Sequence, residues 1–416
     1  MELVLRNARV DGHGGDAVDV ALAEGRIAAI GPALAVRGAR EIDLGGRLLA
    51  PGLVETHVHL DKSCIMERCA SDKGTLEEAI AQVAAAKGRF TAEDVAARAS
   101  RTLEKAILQG TTHMRTHVEV DPGIGLRGLE GVLPLVERYR WAIDLEVCVF
   151  PQEGLLNNPG TERLLVEGLK RGARVLGAAP YCDSDPRGQI DRIFALAREF
   201  DVDIDMHLDF FLDYGRGELD YVCAQTRRHR YEGRVAIGHV STLSAMPAPL
   251  LTQAARRLAD AGVAVTVLPS TDLFLMGRGI EHSVPRGVAP AHGLVAAGVN
   301  CSLSTNNVLN PFTPFGDCSL LRMANLYANV AQLGARESIA QCFELITDRP
   351  AKLLKLEDYG LAVGRPADMV VFDCADRAAA VAELAPPLYG FKRGRMTFSR
   401  APAILHRPTI EPPRAT

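Results

Sequence analysis

The sequence predicts an α/β fold: a (β/α)8 TIM barrel carrying a small discontinuous β-sandwich domain formed from both termini. Two observations predict it. The middle of the chain alternates apolar runs with amphipathic segments, and both ends contain short β-like runs separated by turn residues. At 416 residues the chain is long enough for one large domain and a smaller one. We assign residues 1–54 and 356–416 to the β domain and residues 55–355 to the barrel.

The β domain is predicted from short runs at each end of the chain. Before residue 50 they include Leu3-Val4-Leu5 and Val18-Asp19-Val20-Ala21-Leu22, with Gly, Asp and Asn between them. Near the end of the chain, Met369-Val370-Val371-Phe372-Asp373 and the segment 389–395 return to the same pattern. The two sets would complete one domain.

Between these ends, apolar strands and amphipathic helices follow each other with the rhythm of a barrel. The predicted strands are 52–58, 111–120, 142–151, 174–180, 202–208, 234–239, 263–268 and 299–305. The predicted helices include Leu76–Lys87, Ala92–Gln109, Glu162–Arg171, Ile190–Glu199, Glu218–Arg228 and a final one near Ile339–Lys355.

Composition narrows the class of partner. The formal net charge is −4 and no Lys/Arg-rich run occurs, which disfavours nucleic acid and anionic membranes as partners. The first residues lack a basic region, a long apolar segment and a cleavage site, so neither secretion nor membrane spanning is expected. The nine cysteines form no CxxC pair, which favours reduced thiols in a cytoplasmic protein.

Three histidines at strand ends predict a metal site. His57 and His59 close the first barrel strand, and residues two apart on a strand point to the same face. His207 closes the fifth strand. Three neutral imidazoles with an open position for water are typical of a catalytic divalent metal, whose bound water becomes more acidic. Zinc is the first expectation, and iron and cobalt fit the same ligands.

The order of these motifs resembles the amidohydrolase superfamily, in the branch of bacterial cytosine deaminase and N-isopropylammelide isopropylaminohydrolase. The resemblance spans nearly the whole chain. Its motifs are His57-Val58-His59, residues 115–120, residues 150–154, residues 202–207, Gly238-His239, Gly277-Arg278, residues 310–316 and residues 360–371.

The resemblance implies roles for further residues. His239 would contact the attacking water or polarise the substrate, although it could simply be hydrogen-bonded within the barrel. Gln152 would hydrogen-bond a planar amide or ring nitrogen. Lys62 matches a substrate-side lysine, with a surface lysine paired to Asp61 or Glu67 as the alternative. His117 would pack beneath the site. The family also implies a homo-oligomer.

The sequence departs from the family at the end of strand eight. There the family has an aspartate that binds the metal and accepts a proton, whereas this chain has Asn306. An amide oxygen can bind a metal, but it cannot act as a general base near pH 7. Asn306 therefore stays a candidate metal ligand and catalytic residue. The adjacent Asn307 is a candidate substrate-binding residue.

A second departure lies after His207. Phe210 occupies the place of a proton-shuttling glutamate in cytosine deaminase and suggests a more apolar substrate pocket. On a continuing strand, Asp209 would share a face with His207. This makes Asp209 the first candidate for a displaced acid/base, and His239 the competing one.

Together these observations predict a metal-dependent hydrolase that cleaves a C–N bond in a small nitrogen heterocycle or amide, by deamination, dealkylamination or ring opening. Cytosine itself is disfavoured because Phe210 and Asn306 remove the proton carriers of that reaction. Two alternatives are a non-catalytic ligand-binding relative and a metal-dependent cyclase or lyase on the same fold.

Overall fold

The computed structural model describes residues 1–69 and 71–406. Its strands, in chain order, are β1 (Leu3–Val10), β2 (Ala17–Ala23), β3 (Arg26–Gly31), β4 (Arg40–Asp43), β5 (Leu48–Pro51), β6 (Leu53–Val58), β7 (Thr111–Glu119), β8 (Asp144–Phe150), β9 (Val175–Ala178), β10 (Asp203–Leu208), β11 (Val235–His239), β12 (Ala264–Val267), β13 (Cys301–Leu303), β14 (Met369–Phe372), β15 (Pro387–Lys392) and β16 (Arg395–Ser399).

The α-helices are α1 (Leu76–Lys87), α2 (Ala92–Leu108), α3 (Arg127–Arg138), α4 (Thr161–Lys170), α5 (Pro186–Phe200), α6 (Leu219–His229), α7 (Ala248–Asp260), α8 (Pro269–Leu275), α9 (Ala291–Ala296), α10 (Leu320–Val330), α11 (Arg336–Glu344), α12 (Asp348–Leu353) and α13 (Arg377–Glu383). Single 3₁₀ turns occur at Met66–Arg68, Pro180–Cys182, Tyr214–Arg216 and Ser241–Ser244. Within the described ranges, no helix is both long and apolar enough to cross a membrane.

Strands β6 to β13 form the barrel. Each pairs in parallel with the next in the chain, and a parallel bridge between Val58 and Asn306 joins the last strand region to the first. Inside, Thr56 Oγ1 lies 2.8 Å from the hydroxyls of both Ser302 and Ser304. The eight predicted barrel strands are confirmed, because a parallel sheet buried on both faces leaves near-continuous apolar runs in the sequence.

The remaining strands form one mixed sheet built from both ends of the chain. The order is β16-β15-β14-β5-β1-β2-β3, with β4 paired to β1. β5 joins the two halves, since it pairs in parallel with β1 and antiparallel with β14. The discontinuous β domain is thus confirmed. The boundary expected after residue 54 falls inside β6, which begins at Leu53.

One predicted helix is wrong in its extent. The segment predicted near Ile339–Lys355 is divided into α11 and α12 by a turn at residues 345–347. Proline lacks a backbone N–H and is tolerated in the first turn of a helix. The break places Pro350 in the first turn of α12.

A buried lysine joins the two domains. Lys392 of β15 lies 2.7 Å from Asp368 of the β domain and 2.8 Å from Asp144 of the barrel, measured from Nζ to carboxylate oxygen. Its side chain is about 1 % exposed, and its Nζ is also 3.2 Å from His113 Nε2. His113, Asp144 and Asp368 could otherwise hold a metal ion, but the ammonium already supplies positive charge among them.

Candidate active site

The chemically active side chains lie at the carboxyl ends of the barrel strands, where barrel enzymes place their active sites. His57 and His59 are at the end of β6, His207 is near the end of β10, and His239 is the last residue of β11. Asn306 follows β13. All five are buried.

Three imidazoles converge at this end of the barrel. His207 Nε2 lies 3.0 Å from the Nε2 atoms of both His57 and His59. Burial, together with His117, lowers the pKa of His57 to about 3. Burial also lowers the pKa values of His59 and His207 well below their ordinary value. The three rings are therefore neutral at physiological pH, as metal ligands must be.

Asn306 is fixed beside these rings by its backbone. Its N–H donates to the His57 carbonyl at 2.9 Å, and its carbonyl accepts from the His59 N–H at 2.8 Å. Its φ of 58° lies in the left-handed region, which asparagine tolerates better than most residues. Its buried Oδ1 has no hydrogen-bond partner in the described structure. A bare amide oxygen beside three neutral imidazoles fits a divalent metal.

Beneath the site, Asp205 supports His57 and His117. Asp205 Oδ1 lies 3.7 Å from His57 Nδ1 and 3.4 Å from His117 Nε2, while Oδ2 accepts from Arg115 at 2.9 Å. Burial alone would raise the pKa of Asp205, but His117 and His57 lower it well below its usual range. His117 stacks on His57 with ring centroids 3.8 Å apart. The sequence analysis missed Asp205, although its spacing of two from His207 on one strand could have revealed it.

His239 has a carboxyl partner that the sequence analysis also missed. Its Nδ1 lies 2.6 Å from Asp272 Oδ1, and both side chains are fully buried. Asp272 belongs to α8, and its Oδ2 accepts from the Leu268 N–H. Burial raises the pKa of Asp272 and lowers that of His239. Because Nδ1 faces the carboxyl group, Nε2 is the ring nitrogen left free to exchange a proton.

The expectation that Asp209 shares a face with His207 is wrong. β10 ends at Leu208, and Asp209 has a φ of 47°, so the alternation of a strand stops before it. Its two carboxylate oxygens accept from the backbone N–H groups of Glu218 and Leu219 at the start of α6. Asp209 therefore caps a helix, and we do not propose it as the base.

Lys62 and Gln152, the two residues that the sequence analysis assigns to substrate binding, are in contact. Lys62 Nζ donates to Gln152 Oε1 at 3.1 Å and to Glu119 Oε1 at 2.6 Å. Lys62 is about 2 % exposed, so the alternative of a surface lysine is wrong. Burial would raise the pKa of Glu119, but Lys62 and Lys87 outweigh it and lower the value to about 2.

Phe210 and Asn307 occupy different surroundings. The Phe210 ring stacks on His239 with centroids 3.8 Å apart and is about 2 % exposed, so it supports the imidazole. Asn307 is buried, and its Oδ1 accepts from Asn310 Nδ2 at 2.6 Å. The structure thus brings Phe210 to the site through His239 and holds Asn307 within the loop after β13.

Comparison with known proteins agrees with this geometry. The sequence model described as "Amidohydrolase family" matches residues 40–133 and 138–398. N-isopropylammelide isopropyl amidohydrolase of Pseudomonas sp. (strain ADP) is 27 % identical over 405 residues, covering 95 % of this chain and 96 % of that protein.

Two solved structures have the same architecture over nearly the whole chain. 5-Methylcytosine deaminase from Klebsiella pneumoniae, bound to 5-fluorocytosine, superposes with a TM-score of 0.92 and 27 % identity, covering 97 % of this chain and 99 % of that one. N-isopropylammelide isopropylaminohydrolase from Burkholderia multivorans has a TM-score of 0.83 and 28 % identity, covering 95 % and 98 %.

Proposed function

We propose a specific proton path and substrate class on the premise that this chain belongs to the amidohydrolase family. It is a metal-dependent hydrolase of carbon–nitrogen bonds other than peptide bonds. The proposed substrate is a small nitrogen heterocycle or cyclic amide, cleaved by deamination, dealkylamination or ring opening. The family relatives named for ammelide and cytosine chemistry support this class.

One observation carries the proposal: three neutral, buried imidazoles meet at the barrel mouth beside a bare amide oxygen. His57, His59, His207 and Asn306 are the proposed ligands of one divalent metal, with zinc the first choice and iron or cobalt compatible. When bound, the metal would supply Lewis acidity that makes water more acidic and polarises the substrate.

His239 is the proposed proton acceptor. Asp272 holds its Nδ1, so the free Nε2 can take the proton of the attacking water and later return it to the leaving nitrogen. The contact with Asp272 Oδ1 also fixes the orientation of the ring. This arrangement supplies a base even though Asn306 cannot act as one.

Gln152 is the proposed residue that orients the ring of the substrate, since it is the planar amide next to Lys62 at this end of the barrel. The homo-oligomeric state and the cytoplasmic location expected from the sequence stay predictions. Light scattering on purified protein tests the first, and fractionation of the source cells tests the second.

The experiment starts from protein expressed with added zinc and assayed for bound metal. Aminotriazines, aminopyrimidines, pterins, cyclic amides and ureas are then screened by product mass spectrometry in water enriched in oxygen-18. We expect one zinc per chain and incorporation of solvent oxygen into one product. A His207→Ala variant should lose both metal and activity, whereas His13→Asn, at an exposed histidine of the β domain, should keep both.

Two outcomes would contradict the proposal. Turnover without incorporation of solvent oxygen would indicate a cyclase or lyase. Fully metal-loaded protein that binds heterocycles and turns none of them over would indicate a non-catalytic relative.

A further inference from the structure

The ammonium group of Lys62 is held by protein groups. An ammonium group carries three donors and no acceptor. Lys62 Nζ donates to Glu119 Oε1 at 2.6 Å and to Gln152 Oε1 at 3.1 Å. It also lies 4.4 Å from the centroid of the Phe312 ring, a cation–π distance. Two of the three donors are thus directed at protein oxygens, the charge lies against an aromatic ring, and the side chain is buried.

This contact fixes which end of the Gln152 amide faces which neighbour. A group that can only donate must face the amide oxygen, so Gln152 Oε1 is turned towards Lys62. The NH₂ group is then turned the other way, towards Cys182 Sγ at 3.9 Å and the hydroxyl of Tyr181. A thiol sulfur is a weak acceptor and a hydroxyl can turn to another partner, so the amide can still donate to a ligand.

The positive charge of Lys62 is balanced within the protein. Glu119 bridges Lys62 and Lys87, and Lys87 also pairs with Asp121 at 2.6 Å and with Glu153. Two ammonium groups therefore face three carboxylates. A substrate does not need a negative charge to satisfy Lys62.

We propose that Lys62 is a positioning residue that holds Gln152 with its NH₂ group towards the substrate. The site then selects neutral heterocycles whose edge facing Gln152 presents a carbonyl oxygen or an unprotonated ring nitrogen. The inference rests on the proposed function for the location of the substrate. A ligand edge that presents an N–H or NH₂ group would place its donor against the NH₂ donor of Gln152, which costs binding free energy.

The test uses two neutral ligands of nearly the same shape. 1-Methylpyridin-2-one offers a carbonyl acceptor, and 2-methylaniline places an NH₂ donor at the corresponding position. Dissociation constants are measured by ligand-observed NMR titration at pH 8 on zinc-loaded protein. We expect wild type to prefer the pyridinone by at least about tenfold. The metal is the same in all variants, so a change in this ratio reports the amide.

Two variants separate the lock from a direct contact. Lys62→Met with Glu119→Gln removes both charges of the buried pair together, which avoids leaving one charge unpaired. In this double variant the Gln152 amide can exchange the positions of its oxygen and its NH₂ group. We therefore expect the ratio of the two dissociation constants to fall to within about threefold of one. Gln152→Glu keeps Lys62 but removes the amide donors, and the preference should also disappear. Lys73→Met, at an exposed lysine, is the control and should keep the wild-type ratio.

An unchanged ratio in the folded double variant would overturn the inference. An equal loss of affinity for both ligands would also overturn it, because Lys62 would then contact the ligands directly. The inference fails as well if the wild-type protein does not prefer the pyridinone. Circular dichroism and melting temperature confirm folding. The readout is binding, so a protein that shows the preference without hydrolysing any heterocycle refutes the proposed function alone.

Discussion

The backbone N–H of Asn306 donates to the carbonyl oxygen of His57 at 2.9 Å, which ties the end of the last barrel strand to the first metal-binding histidine. The bare Oδ1 of Asn306 is therefore held beside the imidazoles by main-chain bonds. A substitution of this amide changes the charge at the site while these main-chain bonds remain.

Asn306→Asp should improve metal retention without improving turnover. A carboxylate adds negative charge next to the metal, which strengthens binding but makes water less acidic and adds a base that competes with His239. Zinc content after dialysis against a chelator should rise, while kcat on the native substrate stays level or falls. Asn329→Asp, on an exposed face of α10, should change neither. Activation by two to four orders of magnitude (about the value of a positioned base) would mean that His239 has not replaced the lost aspartate.

Asp272→Asn should lower kcat by at least about a hundredfold, because it removes the carboxyl partner of His239 Nδ1. The loss should not add to that of His239→Gln, since the two residues act as one unit. The pH profile of kcat should shift as well, which a purely structural change would not produce.

Asp209→Asn is the matched control for that prediction. Its two carboxylate oxygens accept from the backbone N–H groups of Glu218 and Leu219. Asparagine keeps only one of these acceptors, so the cost should fall on stability and not on catalysis. We expect kcat to stay within a few-fold of wild type. If Asp209→Asn were the damaging change and Asp272→Asn the mild one, the assignment of the base would be reversed.

Asp94→Asn should destabilise the protein at neutral pH and not in strong acid. Asp94 pairs with Arg68 and Arg98, and Arg98 donates to the main-chain carbonyls of Asp61 and Ser63 beside the site. Hydrogen bonding from Arg68, with a contribution from Arg98, lowers the pKa of Asp94 to about 2. A folded pKa below the unfolded value of about 3.9 stabilises the fold above that value, and the contribution disappears as the pH falls through about 2.

The measurement is the melting temperature of wild type and Asp94→Asn between pH 2 and pH 7. We expect the variant to melt a few degrees lower at pH 7, with the difference closing towards pH 2. Asp260→Asn, at an exposed residue that ends α7, should follow wild type throughout. A difference that is independent of pH would show that the carboxylate charge is not its source.

Phe210→Glu should not create a cytosine deaminase. The Phe210 ring stacks on His239 and is nearly excluded from solvent, so a glutamate there would bury a charge against an imidazole whose pKa is lowered by burial. We expect the free energy of unfolding in urea to fall by several kcal/mol, more than for Phe210→Leu or Phe210→Gln. Stable Phe210→Glu protein that releases ammonia from cytosine would contradict this.

The barrel was predictable because its strands bury both faces and its helices bury one, and both leave periodic patterns in a single sequence. The histidines at 57, 59 and 207 were predictable for the same reason, since strand ends meet at one rim. Asp272 was not. It contacts His239 from a helix 33 positions later in the chain. A single aspartate in such a helix has no periodic or motif context in the sequence that would pair it with that histidine. Asp209 was misjudged because the strand does not continue past Leu208, and Asp209 itself adopts a left-handed φ that stops the alternation of faces.

The pairing of β5 with β14 sets an order for folding during synthesis. The two strands are separated by about 300 residues, so at roughly ten residues per second β5 leaves the ribosome about half a minute before β14 exists. During that interval its hydrogen-bonding edge has no native partner and must be kept from pairing with other chains. The whole barrel is translated within this waiting time. A nascent chain halted before residue 369 would therefore carry an almost complete catalytic domain attached to an unfinished sheet.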